Sequence, residues 1–178
     1  MSTGVPFEHQ HGSPQALERR SVPTPVLPHG PGIRVPAPFY FAAALLLAWP
    51  LHLLWPLRIV NGPVADVAGA TLSLVVAALS AFSVRALWQD GTSMRHDRPA
   101  RALVTTGPFR FSRNPIYLSL SILVLALGLW MRNAWMILLL LPTLVALQLL
   151  VIRREERYLH LRFGDRYDRY RARVPRWI

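Results

Sequence analysis

The chain is 178 residues long and contains neither cysteine nor lysine, so all 20 of its basic residues are arginine; against 9 Asp and Glu they give a formal net charge of +11, yet 52% of residues are hydrophobic. Without cysteine, a disulfide framework and a thiolate metal site are excluded. The arginines lie between long uncharged runs instead of being scattered through amphipathic segments, which excludes an ordinary basic soluble domain and predicts a polytopic membrane protein.

Residues 1–36 are polar and rich in proline, and read as a disordered tail with too little apolar surface to order itself. No charged start leads into an apolar run, so the tail is not a secretory signal peptide. His9 and His11 are read as solvated, and no metal site is expected. Uncharged runs follow at Val35–Leu57, Val67–Val84, Asn114–Met131 and Asn133–Ile152. Each approaches the roughly 20 residues that a helix needs to cross bilayer hydrocarbon. The expected architecture is all-α, with a membrane domain over 37–178, spans at about 37–57, 66–88, 115–131 and 134–155, and a charged C-terminal helical segment at 153–178.

Pro50 is expected to kink the first span, because it removes a backbone donor and clashes one turn back. His52, between Pro50 and Pro56, is expected to hydrogen-bond a neighbouring helix. The small residues of the second span suit close helix contacts in lipid. Only the Arg132–Asn133 region separates the third span from the fourth, which predicts a tight antiparallel hairpin. Arg58 and Asp66 fall at the membrane surface on the side of that turn. Arg58 and Arg132 lie on one side, and the other 18 of the 20 arginines lie on the opposite side, which places both termini and the 89–113 loop in the cytoplasm. The same distribution accounts for a pI of about 11.5, so no nucleic-acid partner is expected.

Two segments on the arginine-rich side carry the chemistry. The first runs from Thr106 to Tyr117, with a turn at Gly107-Pro108 and a helix start at Asn114-Pro115, Asn as N-cap and Pro in the first turn. Read blandly, this is how a helix enters the membrane, and Arg113 snorkels to the interface. The second segment follows the fourth span. A continuous helix to about Phe163 puts Gln148, Ile152, Glu155 and Leu159 on one face. Gly164 suits a C-cap and Asp165 a new N-cap, and Leu159, Phe163, Tyr167, Tyr170 and Val174 line one side of the broken helix pair. Either the segment lies on the headgroups with its glutamates paired locally to arginines, or it roofs a polar pocket rich in Arg and Glu. A carboxylate at the lipid boundary is costly unless it has a partner.

Taken together, the two segments resemble the isoprenylcysteine carboxyl methyltransferase family and its phospholipid-methyltransferase relatives. Those enzymes share Gly-x-[Phe/Tyr]-x-x-x-Arg-His-Pro-x-Tyr, a hydrophobic hairpin, Glu-Glu, and Phe-Gly-x-x-Tyr-x-x-Tyr. Here the series reads Gly107, Phe109, Arg113, Asn114, Pro115 and Tyr117, then Glu155-Glu156, then Phe163-Gly164, Tyr167 and Tyr170, closing with Val174-Pro175-Arg176. Each piece is weak alone, and the ordered set over roughly residues 105–178 is specific. Asn114 stands where eukaryotic members carry His, so the resemblance carries fold and cofactor and leaves the acceptor unassigned.

The resemblance implies a bacterial inner-membrane enzyme that transfers a methyl group from S-adenosylmethionine to a small lipophilic or lipid-like carboxylate, thiol or amine. Its cofactor-binding set would be Gly107, Arg113, Asn114, Pro115, Tyr117, Glu155, Glu156, Tyr167 and Tyr170, with Arg113 and Glu156 as the catalytic pair. Arg113 would take the cofactor carboxylate, Glu155 or Glu156 its ammonium or ribose hydroxyls, and Tyr117 the ligand or a glutamate. Tyr167 and Tyr170 would exclude water. A thiol or amine acceptor would need a base, for which Glu156 and His160 are the candidates. The rival reading is a non-catalytic membrane scaffold or lipid-binding protein that keeps the fold. The sequence assigns no oligomeric state.

Overall fold

The computed structural model describes residues 30–59, 62–91 and 102–178. Most of the expected tail, with His9 and His11, and much of the 89–113 loop lie outside the described residues. The described chain is helical, without strands: α1 (Ala37–Leu54), α2 (Pro63–Gln89), a short 3-10 turn (Gly107–Arg110), α3 (Pro115–Trp130), α4 (Ala134–Leu147), a π-helical turn (Gln148–Ile152), α5 (Arg153–Phe163) and α6 (Asp165–Arg173). Ala37–Leu54, Pro63–Gln89 and the continuous helix Ala134–Phe163 are long and apolar enough to cross a membrane, and Pro115–Trp130 is a shorter apolar helix.

Local chemistry explains where these helices stop. α1 runs through Pro50 but ends at Leu54, because Pro56 disfavours helical geometry at Trp55, which sits at φ −136°. α2 starts earlier than its charge-free core, with Gly62 as N-cap and Pro63 in the first turn, and it carries Asp66 and Arg85 within its ends. Between α3 and α4 the chain reverses over Met131–Asn133, with Arg132 at φ 51°. Asn133 caps α4 by accepting from Trp135 N at 3.0 Å, and its amide donates to Ala48 O at 3.3 Å, tying α1 to the hairpin. Gly128 permits that tight reversal, since a Cβ there would meet Ile137 Cγ1 at 2.9 Å. Asp66 pairs with Arg132 at the same end of the molecule.

The α3–α4 hairpin is the centre of the packing, with α2 laid mainly on α3 and α1 mainly on α4. α1 turns Ala37, Phe41, Ala44 and Ala48 inward, at the spacing of one helix face, against a cluster that includes Val124, Leu140, Leu147, Val151 and Ile152. Its other face is apolar and open, with Leu46 76% and Leu53 68% exposed; on α2, Val64 and Leu74 are similarly bare. Such surfaces suit lipid rather than water.

Two expectations need correction. His52 makes no helix–helix hydrogen bond: its Nδ1 is buried with no partner among the described residues. The fourth span is not a continuous α-helix. The π turn takes in one extra residue, so positions after Ile152 lie about 100° from where uninterrupted α geometry would carry them. Gln148 and Glu155 therefore do not share a face, and Gln148 Nε2 is buried without a partner.

Candidate functional site

The start of α3, the glutamates of α5 and the chain after α6 meet at one end of the hairpin. Asn114 occupies the N-cap position of α3 without capping it by its side chain, while Pro115 takes the first turn. The turn is held instead by Ser112, whose Oγ accepts from Asn114 N at 3.1 Å. That geometry aims Arg113 inward, against the bland reading of a snorkelling side chain: it is 10% exposed and its NH1 lies 2.9 Å from Glu156 Oε1.

Glu156 is held from a second side. Arg176 donates Nε to Oε1 at 2.8 Å and NH2 to Oε2 at 2.6 Å, a bidentate fork on the same carboxylate. The result is an Arg–Glu–Arg triad of net charge +1 with the carboxylate only 14% exposed. Arg113 Nε remains buried with no hydrogen-bond partner among the described residues. In the first turn of α3, Tyr117 donates to Glu155 Oε1 at 2.7 Å, so the two neighbouring glutamates are bound by different partners.

α6 covers this triad. The backbone breaks at Gly164, at φ 51° and ψ −129°, a conformation that favours glycine. Gly164 both ends α5 and precedes α6, so Asp165 is the first residue of α6 rather than its cap. The break folds α6 back, burying Tyr167, Tyr170 and Val174 with Leu103, Leu159 and Phe163 packed against them. The expected lining of the helix pair is thus observed. Tyr167 OH meets Arg113 NH1 at 3.3 Å, and Tyr170 OH donates to Phe109 O at 2.8 Å, pinning α6 to the 3-10 turn. Burial raises the Tyr167 phenol above its ordinary pKa and the Glu156 charge adds to this, with Arg113 opposing. Burial likewise raises Tyr170, and the fork to Glu156 raises Arg176.

The structure therefore brings together Arg113, Glu156 and Tyr167, joins Tyr117 to Glu155, and seats Tyr170 beside them. Asn114 turns its side-chain donor elsewhere: its Nδ2 donates to Arg176 O at 2.9 Å. Gly107 lies on the 3-10 turn at φ 56°, against Ala86, and Pro115 starts α3. His160 is engaged by Asp168, with Nδ1 3.0 Å from Oδ2. Two residues outside the candidate set complete the cluster, Arg176 and Ser112. Arg176 belonged to the recognised motif series, but its partner lies 20 residues away and no periodicity links them.

Residues 64–166 match the family model of phospholipid methyltransferases. An uncharacterized protein of Haemophilus influenzae is 40% identical over 63 residues, which is 35% of this chain and 100% of that protein. No solved structure matches the chain. The chain belongs to the phospholipid methyltransferase family, within the isoprenylcysteine carboxyl methyltransferase-like superfamily.

Proposed function

We propose that this member of the family is an integral-membrane methyltransferase that uses S-adenosylmethionine on a small lipophilic or lipid-like acceptor. The observation that carries the reading is the buried Arg113–Glu156 pair, with one guanidinium N–H left unsatisfied, under a roof of two tyrosines. An unpaired buried donor on a charged group is costly, and a ligand carboxylate at Arg113 Nε would remove that cost. The donor set fits the cofactor's amino-acid end: Arg113 for its carboxylate, and Glu155 or Glu156 for its ammonium or the ribose hydroxyls. When bound, the cofactor supplies an electrophilic methyl group on a cationic sulfur.

What the chain contributes is alignment and exclusion of water. Tyr117 holds the Glu155 carboxylate, and the Tyr167–Tyr170 pair, with ring centroids 6.3 Å apart, closes the site from above. Fixed orientation of reacting groups contributes about 7–11 kcal/mol in well-arranged systems, which makes alignment a large part of what such a site supplies. A carboxylate acceptor needs no base; for a thiol or amine, Glu156 is the acidic group nearest Arg113. Apolar helix faces on both sides of the hairpin suit an amphiphile arriving through lipid. The arginine distribution supports both termini being cytoplasmic, and the family resemblance a bacterial inner-membrane location.

Calorimetry on the purified protein in detergent tests the reading directly. Wild type should bind S-adenosylhomocysteine, and Arg113→Ala should abolish binding while keeping its helical circular dichroism. Absence of binding by the wild type would overturn it.

A further inference from the structure

The chain after α6, from Val174 onward, forms a strap that crosses the start of α3. Arg113 N donates to Pro175 O at 3.0 Å, Asn114 Nδ2 to Arg176 O at 2.9 Å, and Ser112 Oγ to Arg176 O at 3.3 Å. Asn114 is itself buried, and so is Ser112. The same residue whose carbonyl is held in this way sends its guanidinium fork onto Glu156. Arg176 is the more exposed member of that pair, its side chain 37% exposed against 14% for Glu156. Arg176 thus reaches Glu156 from a backbone held at three points, and Asn114 supplies the shorter of the two side-chain bonds to its carbonyl.

We propose that Arg176 is a positioning residue for the Glu156 carboxylate, and that Asn114 acts on the site through Arg176 by fixing the strap that carries it. Electrostatics gives the arrangement its effect. With Arg176 in place, the Glu156 charge is shared between two guanidinium groups, and Arg113 keeps a donor and net positive charge for an anionic ligand. Without it, Glu156 engages Arg113 alone and the local charge falls from +1 to zero. The inference rests on the proposed reading of the Arg113–Glu156 pair as a ligand site.

Full-length protein in detergent decides it by two measurements. In the first, Arg176→Ala weakens S-adenosylhomocysteine binding about tenfold or more, the loss expected for a removed charge-assisted fork. Added guanidinium ion restores part of that affinity, which a general packing defect would not allow. Arg176→Lys, which keeps charge but not the fork, falls between. Asn114→Asp, of equal size but with no donor for the carbonyl, weakens binding to a similar degree. The double variant is no weaker than Arg176→Ala, because both act through one contact. Asn114→His retains an N–H donor for the Arg176 carbonyl. Unchanged affinity in Arg176→Ala, or losses that multiply in the double variant, would overturn the proposal.

The second measurement is hydrogen exchange without ligand, which stands even if the cofactor reading fails. Exchange at the Arg113 amide and over 174–177 should quicken in Asn114→Asp and Arg176→Ala and remain slow in Asn114→His. Equal exchange in all variants would show that Asn114 does not hold the strap.

Discussion

Tyr117 and Glu155 meet across the α3–α5 contact, the phenol donating to Oε1 at 2.7 Å, although 38 residues separate them. Tyr117 lies in the first turn of an apolar helix and is 8% exposed, so this bond is made where water is scarce. It ties α5 to the start of α3, beside the Glu156 carboxylate.

Tyr117→Phe removes that donor while keeping the ring and its packing. The expected cost is about 1.5–3 kcal/mol of stability, the range for a hydrogen bond to a charged group. Thermal unfolding in detergent would reveal it, with weaker S-adenosylhomocysteine binding alongside. A variant as stable as wild type would mean that α5 is oriented by its apolar contacts alone.

Arg113 and Glu156 should differ when truncated. Glu156→Ala leaves two guanidinium groups facing one another, and the loss should approach the roughly 3–5 kcal/mol seen when a buried ion pair is broken. Arg113→Ala leaves Glu156 with the Arg176 fork and should cost less. Chemical denaturation of both variants checks the order, and a larger loss for Arg113→Ala would contradict the shared-carboxylate arrangement.

Alkaline pH should loosen the roof. Burial raises the phenols of Tyr167 and Tyr170 in the folded protein above their ordinary value of 10.0. A group whose folded pKa is raised binds its proton more tightly in the native state. Its contribution is therefore complete below about pH 10 and is lost as the pH climbs through the higher folded value. Melting temperature should fall above pH 10, in step with tyrosinate absorbance. Tyr167→Phe combined with Tyr170→Phe should flatten that fall, at a lower starting stability.

The π turn gives an expectation about chain length. A five-residue π turn advances about as far as a normal α turn of one residue fewer, so deleting exposed Leu149 should leave Glu155 and Glu156 in place and preserve ligand binding. Inserting one alanine after Leu150 should turn both glutamates by about 100° and abolish binding, with membrane insertion intact. If the deletion were the damaging change, the turn would be setting the direction of α5 rather than absorbing a residue.

Membrane character, helix number and the polar C-terminal segment were legible in the chain, because they follow from local quantities: uncharged length, proline and glycine positions, and where arginine stops and starts. The ordered motif series likewise pointed to the right superfamily and placed Arg113, Tyr117 and the two glutamates among the candidates. Boundaries were less legible. The ends of α2 carry Asp66 and Arg85, so counting between charges shortened it, and Pro56 acted on Trp55 to shorten α1.

Only the tertiary structure decided which glutamate meets which partner. Glu155 and Glu156 are adjacent, chemically identical side chains equally placed by sequence. One binds a tyrosine and the other two arginines, because a π turn takes up one residue before α5 and a glycine at φ 51° folds α6 and the strap back over it. Arg176 reaches Glu156 across that fold, and Asn114 caps nothing yet holds the strap. Periodicity records what lies above what within one helix. It carries no information about a contact made by bringing the far end of the chain back to the start of another helix, and that contact completes the candidate site.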